Sequence, residues 1–160
     1  MAAIHRLQRA QLIPRPLPEV FAFFADAGNL EMITPPTLGF EILTPRPIRM
    51  HAGTLIDYRL RLFGIPFRWQ TRIETFEPLV RFTDVQLRGP YRRWHHLHEF
   101  FATTDGTLVV DTVDYALALG PLGSVAHALF IGRTLAQIFD YRRTHLAERF
   151  GTPAPVRRSA

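Results

Sequence analysis

The apolar residues of this chain change their spacing once, and the change falls at Gly120-Pro121. Upstream, over residues 54–119, apolar and polar residues alternate in successive short runs. Downstream, over residues 122–150, apolar residues recur every three or four positions, among them Leu122, Val125, Leu129, Leu135, Phe139, Leu146 and Phe150. Alternation puts every second side chain on one face of a strand, whereas the longer period makes one stripe along a helix. A sheet with one apolar face has to cover it. The predicted helix is the only segment long enough to do so, at roughly 40 Å. The expected class is therefore α+β, with a curved antiparallel sheet of six to seven strands wrapped around one long C-terminal helix. Two short helices are expected after the first strand.

The individual strands follow from the same alternation. Residues 4–13 suit an edge strand, ended by Pro14, Pro16 and Pro18. Residues 19–25 predict a short helix that starts after Pro18, and residues 29–33 leave room for another turn before Pro35-Pro36. After a short strand at 40–44, Ile56, Tyr58, Leu60 and Leu62 oppose Asp57, Arg59 and Arg61. In the next strand Phe67, Trp69, Thr71 and Ile73 oppose Arg68, Gln70, Arg72 and Glu74. Strands over 80–88, 91–103 and 108–119 complete the sheet. Gly89-Pro90 turns the first pair, and Asp105-Gly106 is a strong hairpin signal for the second. Gly151, Pro153 and Pro155 stop the helix. A domain over 1–150 is thus expected to be followed by a flexible tail over 151–160.

Composition narrows the functional classes. The chain has 160 residues and a mean hydropathy of +0.00, enough for one core. No apolar run approaches the roughly 18 residues of a membrane span. Arg6 and Arg9 lead into a proline-rich stretch instead of an apolar one, so no signal peptide is expected and the cytoplasm is the expected location. There is no cysteine, which excludes disulfides, thiolate metal sites and a cysteine nucleophile. All 19 basic residues are arginine, against 14 acidic ones, for a net charge of +5. They are spread from Arg6 to Arg158, whereas a nucleic-acid binder needs a clustered stripe, so no nucleic-acid partner is expected. No phosphate-binding loop, dinucleotide fingerprint or nucleophile elbow is present, and no cofactor is expected. Composition leaves a monomer and a homodimer equally open.

Three segments carry a family resemblance: TPRPIRMHAGTLIDYRLRLFGIPFRW at 44–69, FTDVQLRGPYRRWHHLHEF at 82–100 and GPLGSVAHALF at 120–130. Over residues 4–150 the chain resembles the START-like or SRPBCC superfamily, and within it the bacterial ligand-binding SRPBCC group. The resemblance implies the helix-grip fold shared by the birch pollen allergen, START lipid carriers and polyketide cyclases. It implies a hydrophobic or aromatic small molecule, lipid-, quinone- or polyketide-like, held between sheet and helix by a carrier or sequestering protein. Cyclase or dehydratase relatives make an enzyme the alternative. Relatives that touch partner proteins make an interaction module a second alternative, with the outward Arg59, Arg61, Arg68 and Arg72 as its surface.

The residues themselves point to a polar group on an apolar wall. In Trp94-His95-His96-Leu97-His98, alternation puts Trp94, His96 and His98 on one face with Phe100. A two-residue loop at Asp105-Gly106 would set Trp94 opposite Leu117, His96 opposite Tyr115, His98 opposite Val113 and Phe100 opposite Asp111. Asp84 would face His96 if the preceding turn has three residues, and His95 if it has two. In the first case the face holds Asp84, Gln86, His96, His98 and Tyr115. Three readings stay open: a self-satisfied buried network, a ligand-orienting group, or a catalytic or metal-binding one. In the last, the two imidazoles and Asp84 would hold an ion, or a His–Asp pair would act as general base with Tyr115 as proton donor. His-x-His alone is a weak metal signature, and no metal is expected. Tyr58, Trp69, Thr71 and Phe82 are expected to line the same groove, with Leu129 and Arg133 reaching in from the helix.

Overall fold

A computed structural model describes residues 3–62, 64–117, 125 and 130–154. Seven strands form one antiparallel sheet: β1 (His5–Ile13), β2 (Glu41–Ile42), β3 (Leu55–Leu62), β4 (Ile65–Glu77), β5 (Arg81–Arg88), β6 (Tyr91–Thr103) and β7 (Gly106–Leu117). Their order across the sheet is β1-β7-β6-β5-β4-β3-β2, so the first strand closes against the last. Between β1 and β2 lie one helix, α1 (Leu17–Phe24), and two 3-10 turns at Ala27–Leu30 and Pro36–Leu38. The final helix, α2, is described over Gly132–Phe150. The earlier part of the predicted helix, with Leu122, Ala126 and Leu129, lies outside the described residues, while Val125 is exposed.

Alternation decides which side of the sheet is dry. Along β3 every second residue is buried, from Ile56 to Leu62, and the residues between them face water. On the wet face Arg59 donates to Glu41 at 2.7 Å, and Arg72 lies 3.5 Å from Glu74. Two register shifts in β4, between Gln70 and Thr71 and between Ile73 and Thr75, bend the sheet.

The dry side holds two apolar clusters. One gathers Tyr58, Trp69, Tyr91 and Tyr115 with Leu135 and Phe139 of α2. The other gathers Phe21, Phe23 and Phe24 of α1 with Phe82, Phe100, Leu146 and Phe150. The backbone of α2 comes closest to β1, at the sheet's edge. Its buried stripe is Leu135, Phe139, Arg142, Leu146 and Phe150. No helix among the described residues is long and apolar enough to cross a membrane.

The β6–β7 hairpin differs from the sequence reading by two residues. Its terminal pair is Thr103 with Gly106, so Thr104 and Asp105 form the loop. Trp94 therefore faces Tyr115, His96 faces Val113, His98 faces Asp111 and Phe100 faces Val109. A shift of two preserves which residues point inward and changes only who meets whom. At the preceding turn the three-residue register is the one adopted, and Asp84 pairs with His96.

Candidate ligand-binding site

Between sheet and α2 lies a cavity of about 160 Å³ that borders both clusters. Its wall is mostly apolar, built from Tyr58, Trp69, Thr71, Phe82 and Trp94 on the strands and Leu135 and Ile138 on α2. Tyr58, Trp69 and Thr71 engage one another's polar atoms at the aromatic end. Trp69 Nε1 donates to Thr71 Oγ1 at 3.1 Å, and the Tyr58 hydroxyl shares that oxygen at the same distance. Burial holds the Tyr58 phenol well above its ordinary value, so it stays protonated. That part of the wall offers ring faces to a ligand.

Asp26, Asn29 and Thr34 line the cavity from the segment after α1, and the polar wall on the strands and α2 is Asp84, His96, His98 and Arg142. Cross-strand pairing explains the assembly. Asp84 on β5 pairs with His96 on β6, and His98 stands two residues along on the same face, opposite Asp111 of β7. His98 Nε2 and Asp84 Oδ2 are hydrogen-bonded at 3.0 Å, and His96 Nδ1 lies 3.4 Å from the same oxygen. On the other side His96 Nε2 and Asp111 Oδ1 are hydrogen-bonded at 2.9 Å. His98 Nδ1 is 2.8 Å from that oxygen but lies off the hydrogen-bonding direction, which leaves it without a partner. The two imidazoles thus lie between two carboxylates, ring centroids 3.8 Å apart. Phe82 stacks on His98 at 4.3 Å and shields it.

Charge in this cluster is unevenly held. Burial opposes ionisation of Asp111, but His96 and His98 outweigh it and keep the carboxyl well below its ordinary value. Burial likewise opposes Asp84, and His96, His98 and Arg142 more than offset it. His96 is driven down, first by burial and then by the charge of His98. Burial pushes His98 down too, yet Asp111 and Asp84 together raise it. The shifts therefore favour two carboxylates, the charged form of His98 and the neutral form of His96. Arg142 supplies the second positive charge, with Nη1 4.0 Å from Asp111 Oδ1 and its guanidinium over the Phe139 ring. Arg142 Nε is buried without a partner.

Several sequence expectations are corrected here. Gln86 does not line the cavity: its side chain closes the β5–β6 turn, donating from Nε2 to the Tyr91 carbonyl at 2.6 Å and accepting from Tyr91 N at 3.2 Å. Tyr115 does not line it either. The two-residue shift sets it against Trp94, and its ring packs on Tyr91 and Trp94. Arg133 is exposed, because two positions before Leu135 it falls off the buried stripe of α2. Leu129 lies outside the described residues. Asp111 and Arg142 are the residues that sequence reasoning missed. In the sequence Asp111 reads as an inward carboxylate, but the two-residue loop expected at Asp105-Gly106 sets it opposite Phe100. Arg142 stands seven residues after Leu135, on the same stripe, and that spacing was the available signal.

Residues 13–139 match the family model described as "Polyketide cyclase / dehydrase and lipid transport". The chain belongs to this family. No curated protein sequence matches it. Among solved structures it is similar to the Zhui aromatase/cyclase from Streptomyces sp. R1128, with a TM-score of 0.71 and 17% identity over 92% of this chain and 93% of that one. It is also similar to ginseng major latex-like protein 151 from Panax ginseng, with a TM-score of 0.67 and 10% identity over 92% and 97% of the two chains. A third likeness is to a nucleoside-diphosphate sugar epimerase from Corynebacterium glutamicum, with a TM-score of 0.64 and 27% identity. That match covers 89% of this chain but only 28% of the epimerase. The helix-grip fold and the SRPBCC assignment follow from the family match and these likenesses.

Proposed function

We propose that this member of the family binds an apolar or aromatic small molecule in the cavity and acts as a carrier or sequestering protein. The observation that carries the reading is the combination of aromatic walls with one polar cluster. Such a pocket holds a ring by its faces and orients a single oxygen substituent by hydrogen bonds. Volume sets the scale of the buried part. An engineered apolar cavity of about 150 Å³ takes up benzene. The 160 Å³ here suits one aromatic ring or a short branched chain, and a larger ligand would keep only that portion inside.

The test compares p-cresol with toluene by titration calorimetry. One added hydrogen bond is worth about 1 kcal/mol, so p-cresol is expected to bind roughly five- to tenfold more tightly. Ala27 is buried against the cavity, and Ala27→Leu is expected to abolish binding of both while leaving the fold intact. Equal affinities, or undiminished binding in Ala27→Leu, would sink the reading.

A second reading is supported by His96 alone. A neutral imidazole backed by Asp111 at a cavity wall is the arrangement of a general base, as cyclase or dehydratase chemistry requires. A carrier with His96→Gln changes only its affinity. An enzyme of that kind loses about 10²- to 10⁴-fold in turnover. Tyr115 has no part in either reading, since it stands off the cavity.

A further inference from the structure

We propose that Asp84, His96 and His98 form a binding site for one first-row divalent cation, with Zn²⁺ the best match to its dimensions. The ligand atoms are Asp84 Oδ2, His96 Nδ1 and His98 Nε2, and candidate donor atoms of these three residues lie within 4.8 Å of one another. Two of the distances are 3.0 and 3.4 Å. Bonds of about 2.0–2.1 Å in tetrahedral geometry place ligand atoms roughly 3.3 Å apart. Both separations from Asp84 Oδ2 are thus within a few tenths of an ångström of that spacing, and the third pair lies within 4.8 Å.

The outer contacts make the stronger argument. A metal-bound histidine characteristically gives its other ring nitrogen to a carboxylate, which sets the ring's tautomer and angle. Here His96 Nε2 is hydrogen-bonded to Asp111 Oδ1 at 2.9 Å, and His98 Nδ1 lies 2.8 Å from the same oxygen. A network closed by its own hydrogen bonds would satisfy every buried nitrogen, yet His98 Nδ1 has no hydrogen-bond partner. A cation takes the lone pair of Nε2, releases the His98 proton to solvent and leaves Nδ1–H as the ring's one donor, 2.8 Å from Asp111 Oδ1. All three ligand residues stand on paired strands, which hold them rigidly. They also line the cavity, so an open coordination position faces the space where an organic ligand sits. That position suits a carbonyl, phenolate or carboxylate oxygen. With no cysteine in the chain, the donor set is nitrogen and oxygen only, as suits Zn²⁺, Co²⁺ or Fe²⁺.

This inference goes beyond the carrier reading and is tested without any organic ligand, so the two fail separately. The full, untagged chain is stripped with chelator and titrated with Zn²⁺ against a chromophoric chelator. One equivalent is expected, weakened at least about tenfold by Asp111→Asn and further by Asp84→Asn. Co²⁺ in the parent protein is expected to give the intense visible absorption of four- or five-coordinate ions. Ring-nitrogen NMR of the parent needs no variant to fold: Zn²⁺ is expected to shift His96 and His98. The proposal is overturned if the parent binds no stoichiometric Zn²⁺, or if Co²⁺ shows only weak six-coordinate absorption. It is equally overturned if the shifts appear at His51, His95 or His145 instead.

Discussion

Asp111 shows how single residues set the chemistry of this wall. It is only 7% exposed, yet its carboxyl lies well below its ordinary value because two imidazoles flank it. An unfolded aspartate takes up its proton near pH 3.9, whereas the folded Asp111 and Asp84 do so at lower pH. Their contribution to folding is therefore present above about pH 4 and lost as pH falls through the folded values. His98 works in the opposite sense. Its folded value is raised, so its contribution is complete below about pH 6.5 and lost as pH rises through that folded value. His96 is lowered and so counts against folding as pH falls below about 6.5, which partly cancels His98 in that window. Removing one partner of a buried ion pair typically costs about 3–5 kcal/mol. In urea titrations of the chelator-treated protein, Asp111→Asn is expected to lose about that much at pH 7. It is also expected to show a shallower decline below pH 4 than the parent. Parallel acid limbs in the two proteins would mean that Asp111 is not the ionised anchor of the cluster.

Strands and turns decide which of these residues meet. The hairpin signal Asp105-Gly106 was legible in the sequence, but the pair forming the loop was not, because Gly106 answers to a third strand. A methyl group on Gly106 would lie 2.1 Å from the Ile13 carbonyl oxygen and 2.8 Å from Pro14 Cα, and its φ is +137°. The end of β1 passes directly over it, so Gly106 is needed as the first residue of β7 and the loop moves back to Thr104-Asp105. Nothing local records that close approach, since β1 lies over ninety residues away in the chain. The consequence reaches the site, for it is this shift that sets Asp111 against His98. Inward and outward faces were legible because alternation survives a shift of two. Arg142 was not recognised because arginine is rarely buried, and only its place on the α2 stripe marked it. Gly106→Ala is expected to cost more than the roughly 1–2 kcal/mol of backbone strain alone. Gly53→Ala is the control, with φ +95° and no atom within 4 Å of the added methyl. Equal melting points for the two variants would show that the β1 contact does not set the loop.

Across the whole molecule, the cavity follows from where α2 is anchored. The helix is fastened at its C-terminal half, where Leu146 and Phe150 enter the phenylalanine cluster and Gln11 of β1 donates to the Arg143 carbonyl at 3.0 Å. Its first half instead borders the cavity through Leu135 and Ile138. β3 to β7 are each paired on both sides, and β6 and β7 share the longest ladder of the sheet. Regions with fewer packed apolar contacts open at lower free energy than the core. Amide exchange in the ligand-free protein is therefore expected to be slowest in β6 and β7, intermediate over 143–150 and fastest over 132–140 within α2. On α2 the cavity is lined by Leu135, Ile138 and Arg142 and by none of 143–150, so p-cresol is expected to slow exchange over 132–140 more than over 143–150. Uniform slowing along α2 would mean that the helix moves as one rigid piece.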